Sequence, residues 1–281
     1  MDSVRSTFSK LVPLVAVIVL SMLQFHANAA GTRSGSDPAA LDLAKQVYHR
    51  ENGEDMSSQV QMVLADKGGA PRTRLLYSYA KDKGESERWT LMRFIEPADI
   101  DGTGLLTKDY PGDESDQWLY LPALGRVRVI SSSRKGGRFV GSDFFYEDLR
   151  DREVEMDLHH LEGTGKIGNI VCDLLVSTPK DPSNSVYSKR VRWIHRKTLV
   201  PLRVDFYQKG SQKPVKRMIA RKLKRIQGYW TVLDSTMYDL KSGHQTKLAI
   251  RTIKYDQGLP DSLFTKQGLS DASRELRYRP R

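Results

Sequence analysis

Gln59-Val60-Gln61-Met62-Val63-Leu64 decides the fold class. Val60, Met62 and Leu64 alternate with Gln59, Gln61 and Val63, the period of two expected of a strand with one face on a core. Lys67-Gly68-Gly69 ends the run as a turn, because glycine accepts the positive φ that tight turns demand. Leu75, Tyr77 and Tyr79 form one face of the next run, followed by Trp89, Leu91 and Ile95. The alternation continues through Trp118 and Tyr120, Val127 and Val129, Val191 and Trp193, then Leu202, Val204 and Phe206. Later runs lie around 229–238 and 247–255.

Turn chemistry separates the runs at Lys83-Gly84, Pro111-Gly112-Asp113, Lys209-Gly210 and Ser242-Gly243. Roughly ten strands at short spacing predict an antiparallel meander that curls or closes, since an open sheet of that size leaves edges and an uncovered apolar face. One helix precedes it. Asp37 is placed to cap, Pro38 to occupy the first helical position, and Leu41, Leu43, Ala44, Val47 and Tyr48 recur at helical spacing. Gly141–Leu149 breaks the alternation with aromatic and acidic residues and predicts a short helix or tight loop.

Residues 1–29 place Arg5 and Lys10 before an apolar run, Leu11 to Leu20, and end on Ala27-Asn28-Ala29. That order predicts a secretory signal peptide cleaved before Ala30, with residues 30–281 as a single exported domain. The sole cysteine, Cys172, lies in an apolar run and is expected to be buried. Net charge is +11, of which residues 1–29 contribute one. Inside a cell such charge would point to nucleic acid, but an exported protein meets anionic lipid surfaces instead. A generally basic, solubilising surface explains the same charge.

Several motifs fail on context. Gly163-Thr164-Gly165-Lys166-Ile167-Gly168 matches a dinucleotide fingerprint but precedes β-rich sequence, so a hairpin turn is expected. His159 and His160 are adjacent on a strand and point to opposite faces. Glu153, Glu155, Asp157 and His159 share the polar side of what reads as a half-solvated strand. Asp109, Asp113, Glu114 and Asp116 lack the spacing of a calcium loop. No metal site, cofactor site or catalytic grouping emerges, and the chain does not read as an enzyme.

One stretch carries a family resemblance. It runs through Asp99-Ile100-Asp101-Gly102-Thr103-Gly104, Trp118-Leu119-Tyr120-Leu121-Pro122, and Gly141-Ser142-Asp143-Phe144-Phe145-Tyr146-Glu147-Asp148-Leu149. The chain resembles the outer-membrane lipoprotein-sorting family, the LolA-like periplasmic carriers, over most of residues 41–260. That resemblance implies a mainly β fold: an unclosed antiparallel β-barrel of the LolA/LolB kind with an N-terminal helix and short lid helices. It implies a soluble periplasmic carrier that moves lipid or lipoprotein acyl chains between inner and outer membranes.

If the sheet curves as the resemblance implies, Leu75, Tyr77, Trp89, Leu91, Trp118, Tyr120, Trp193, Val204 and Phe206 face inward as candidate ligand-binding residues. From periodicity alone the same residues are equally an ordinary closed core. Asp143, Phe144 and Tyr146 are motif positions of open role; the aspartate is suited to capping the insert or binding backbone amides. Two further classes stay open: an accessory subunit docking a resistance–nodulation–division (RND) type exporter through Lys213, Lys216, Arg217, Arg221, Lys222, Lys224 and Arg225, and an enzyme acting on envelope lipid or glycan.

Overall fold

Asp37 opens α1 (Pro38–Tyr48), its carboxylate accepting a hydrogen bond from the Ala39 amide at 3.1 Å with Pro38 at the first position. The computed structural model describes residues 35–281 apart from 85, 113 and 114. The expected signal peptide, residues 1–29, lies outside the described residues. Ala40 and Ala44 form the buried stripe of α1, small enough to let the helix lie against Leu175, Ile194 and Val154.

Thirteen strands follow among the described residues. The first six are β1 (Asp55–Ala65), β2 (Arg72–Asp82), β3 (Arg88–Glu96), β4 (Gly104–Asp109), β5 (Ser115–Leu121) and β6 (Arg126–Val129). The rest are β7 (Asp157–Ile167), β8 (Ile170–Pro179), β9 (Lys189–His195), β10 (Pro201–Tyr207), β11 (Lys216–Ile226), β12 (Tyr229–Asp239) and β13 (Gln245–Tyr255). They form one antiparallel sheet in the order β6-β5-β4-β3-β2-β1-β13-β12-β11-β10-β9-β8-β7. The first and last strands pair at its centre, and β6 and β7 remain as edges. The barrel is therefore unclosed, as the resemblance implied; the strand pattern alone allowed a sheet that curls or closes.

This topology dictates the insert. Residues 130–156 connect one sheet edge to the other, so they must cross the open side. They do so in short turns, including Tyr146–Leu149, with Phe139 and Tyr146 packed on Phe94, Val60 and Met62. The tight loop expected at Gly141–Leu149 is this crossing.

Cross-strand partners share a face, which fixes the two sides. Val60, Leu76 and Phe94 stand in register on the concave side, under the insert. Tyr79, Leu91, Leu106 and Trp118 form the convex row. Residues 259–278 wrap that convex row as a strap containing α2 (Lys266–Ser270). Gly268 is required there: a Cβ would sit 2.2 Å from the Leu263 carbonyl oxygen. Arg93, on the convex face and 1% exposed, pins the strap through Glu275 at 2.8 Å and the carbonyls of Gly268 and Leu269 at 3.0 and 2.9 Å.

Two local expectations change. The hairpin turn falls at Gly168, while Gly163–Gly165 lies inside β7 at a bulge, with Gly165 bare so that Trp193 can lie against it. Residues 154–156 form a 3-10 turn and β7 begins at Asp157, whose side chain and that of His159 are buried, not solvated. His159 is held between the Ser177 hydroxyl at 2.9 Å and the Val154 carbonyl at 2.8 Å, a structural position.

Candidate functional site

Between the concave face and the insert lies a cavity of about 320 Å³, inside the size range of small-ligand sites. Its sheet wall comprises Val60, Met62, Leu76, Met92, Leu248 and Ile250, and its roof comprises Phe139, Phe144 and Leu149. Ser58, Ser78 and Ser235 supply the few hydroxyls. Unbranched methionines adapt to irregular contents, and three line this space: Met56, Met62 and Met92, joined by Met218 from β11.

The roof is held by charge and hydrogen bonds. Asp143, 1% exposed, accepts from Arg138 at 2.8 Å, His244 Nδ1 at 2.5 Å and the Thr246 hydroxyl at 2.7 Å. Its own amide donates to the same Thr246 oxygen at 2.9 Å. Asp143 therefore ties the insert to β13 through side chains rather than capping backbone amides. Glu147 pairs with Arg190 and accepts from the Val186 amide at 2.7 Å. Asp148 pairs with Lys216 and accepts from the Tyr187 hydroxyl at 2.8 Å. Burial pushes the Lys216 ammonium below its usual range, with Asp148 opposing, and holds the Tyr187 phenol well above its own. Removing one partner from such a pair leaves a buried charge uncompensated.

The expected ligand-binding residues divide. Leu75, Tyr77, Trp89, Leu91, Trp118 and Tyr120 lie on the convex face, where Leu91 and Trp118 pack under the strap with Tyr77, Trp89 and Tyr120 beside them. Lys108 lies 3.6 Å over the Trp89 ring and Lys266 5.0 Å over Trp118. Trp193 packs with Cys172, Val200 and Leu202, beneath the Arg203 guanidinium at 4.6 Å. Val204 and Phe206 are concave, in a cluster with Phe144, Tyr187 and Met237 that adjoins the cavity. Of the motif residues, Phe144 lines the cavity and Tyr146 packs on Phe139. Leu76, Met92, Leu248 and Ile250 escaped the sequence reading. The signal for Leu76 and Met92 was only that they adjoin residues chosen and are as apolar, while Leu248 and Ile250 lie in the later run at 247–255, from which none was chosen.

The basic stretch also divides. Lys216 is buried against Asp148, and Arg217 bonds Asp205 at 2.6 Å, whereas Lys222, Lys224 and Arg225 are exposed. No helix among the described residues is long and apolar enough to cross a membrane. No group of three acidic, histidine or cysteine side chains among them is arranged to hold a metal ion.

Comparison with known proteins places this architecture. A family model described as an uncharacterised protein matches residues 86–271. A DUF1329 family protein from Desulfovibrio piger is 32% identical with a TM-score of 0.79, covering 84% of this chain and 100% of that one. An outer membrane lipoprotein-sorting protein domain from Vibrio parahaemolyticus is 30% identical with a TM-score of 0.78, covering 82% of this chain and 98% of its own. A LolA superfamily protein from Nitrosomonas europaea, 22% identical, shares the fold at a TM-score of 0.63, over 82% of this chain and 97% of that one. No curated protein matches in sequence. With an unclosed thirteen-stranded sheet, an edge-to-edge insert and relatives matched along their full length, the chain belongs to the DUF1329 family of LolA-like, lipoprotein-sorting folds.

Proposed function

We propose that this protein is an exported, periplasmic carrier, not an enzyme, and that its cavity takes an acyl chain of a lipid or lipoprotein for transfer between membranes. The observation that carries the reading is the apolar cavity of about 320 Å³, roofed by an insert that the topology forces across the barrel opening. Burying each methylene contributes about 0.8 kcal/mol, so a chain is held without any polar hot spot. The lipoprotein-sorting domain among its relatives supports the same ligand class.

Exposed Lys222, Lys224 and Arg225, with Trp230 39% exposed on the adjoining hairpin strand, favour docking to an anionic membrane surface. Each cation near such a surface contributes on the order of 1 kcal/mol, screened by salt. An exporter of the RND type is a second candidate for the same exposed cations.

Titration with fluorescent acyl probes of increasing length tests the carrier reading. Saturable binding is expected, tightening by up to about fourfold per methylene. No binding at any length overturns it. Co-purifying lipid, released on extraction and seen by native mass spectrometry, would name the cargo.

A further inference from the structure

A second cavity, of about 430 Å³, opens where α1 runs into β1. It has no lining residue in common with the apolar one, but the two follow one another along two stretches of chain. The chain passes from Gly53 and Glu54 in this recess into β1, whose Met56 and Ser58 line the apolar cavity, and β12 passes from Tyr229 to Val232. A ligand lying along these strands therefore meets a charged compartment at one end and an apolar one at the other.

The charges in the recess are unequal. Arg50 and Arg88 are both committed. Arg50 donates to the carbonyls of Glu51 at 3.3 Å and Trp230 at 3.1 Å, and Arg88 pairs with Asp82. Glu87 accepts from the Trp89 indole at 2.8 Å. The carboxylates of Glu51, Glu54 and Asp151 also line the recess, and no described side chain donates a hydrogen bond to any of them. Asp151 is the enclosed one: burial pushes its carboxyl up to about 6, Arg88 opposes, and Asp109, Asp82 and Glu153 add to the rise. A desolvated carboxylate facing a cavity lacks a counter-ion that a ligand can supply.

Resting on the carrier reading above, we propose that this recess binds the cationic head, an alkylammonium or amine-bearing lipid headgroup, of the amphiphile whose apolar part fills the adjoining cavity, with Asp151 as its counter-ion. The polarity is opposite to that of the protein as a whole, which carries +11. An anionic head would meet five carboxylates, Glu51, Glu54, Asp82, Glu87 and Asp151, against two arginines, Arg88 ion-paired with Asp82 and Arg50 hydrogen-bonded to two backbone carbonyls.

Competition against a bound acyl probe at neutral pH tests this with dodecylamine, dodecanol, dodecyl sulfate and propylamine. Dodecylamine is expected to bind about tenfold tighter than dodecanol, with dodecyl sulfate weakest; tenfold corresponds to about 1.4 kcal/mol. Asp151→Asn should collapse the amine-to-alcohol ratio toward one, and Glu54→Gln should reduce it less. Sulfate binding as tightly as amine overturns the proposal, as does an unchanged ratio in Asp151→Asn. Propylamine binding as tightly as dodecylamine would mean a free-amine site, which overturns the link to the apolar cavity. If dodecanol itself fails to bind, it is the carrier reading that falls.

Discussion

The two sides of β2 and β3 carry comparably apolar rows and use them differently. On the convex side Tyr79 and Leu91 meet Leu259, Leu263, Phe264 and Leu269, all at 1% exposure or less. On the concave side Leu76 and Met92 face a space of about 320 Å³. The convex strap comes from the same chain and is locked by the buried Arg93–Glu275 pair. The concave roof is held by Asp143, Glu147 and Asp148 and by Phe139 and Tyr146 packed on the sheet, and it still leaves room beside them. Apolar surface sealed by close packing serves stability, whereas apolar surface left beside a void is available to a ligand.

Substitution of the pin should separate the two sides most strongly. Arg93→Ala strips the strap carbonyls of Gly268 and Leu269 of their donor and leaves buried Glu275 with Arg279, at 3.2 Å, as its remaining cation, and is expected to cost about 3–5 kcal/mol, read as a fall in the urea midpoint. Acyl-probe affinity of the fraction still folded should be unchanged, because the strap is remote from the cavity. Loss of less than about 1 kcal/mol would show that the strap is not locked as described. Next in size, Leu91→Ala should destabilise by about 2–5 kcal/mol through the cavity it creates. Probe binding should again survive. A folded Leu91→Ala protein that no longer binds would move the ligand to the convex side and undo the comparison.

Asp151 gives a pH-dependent effect of intermediate size. Burial raises its carboxyl from the usual 3.8 to about 6 in the folded protein. The native state then binds more protons than the unfolded chain between those values, so stability falls as pH rises through that window. The contribution is fully present below about pH 4 and is lost above about pH 6, on the order of 2–3 kcal/mol. Asp151→Asn should therefore be more stable than the wild type by about 2 kcal/mol at neutral pH, with the difference vanishing near pH 4. Parallel thermal melts across that range check the sign; a variant less stable at neutral pH contradicts it.

How far the sequence reveals this arrangement depends on what covers each strand. In β1, Val60, Met62 and Leu64 face Gln59 and Gln61 across the strand, and the alternation identifies the inner face correctly. The cap of α1 is equally legible, because Asp37 and Pro38 act within a few residues of themselves. In β2 and β3 both faces are buried, so Leu75-Leu76 and Leu91-Met92 offer two apolar rows, and periodicity chooses neither. The strap that breaks the tie lies more than a hundred residues downstream, at 259–278. The polar ties of the insert are equally nonlocal: Asp143 reaches His244, and Asp148 reaches Lys216. Lys216 looks like part of an exposed basic stripe because only folding brings Asp148 to it.

The smallest expected change in stability accompanies a large change in binding, and it probes the void itself. Ser235 stands half-buried on the cavity wall, opposite Leu248 in the sheet register, and no described group holds its hydroxyl in a hydrogen bond. Ser235→Leu extends an apolar side chain into existing space. The lost hydroxyl leaves no partner unsatisfied, and the added methyls gain contacts, so stability should change by less than about 1 kcal/mol. The same atoms occupy room that an acyl chain needs. Displacing two methylenes' worth of ligand weakens binding by about 1.6 kcal/mol, a little over tenfold. Melts and probe titration on one sample read both. Unchanged affinity in a folded Ser235→Leu protein would place the ligand outside this cavity, and a large destabilisation would mean that the concave side is packed as tightly as the convex one.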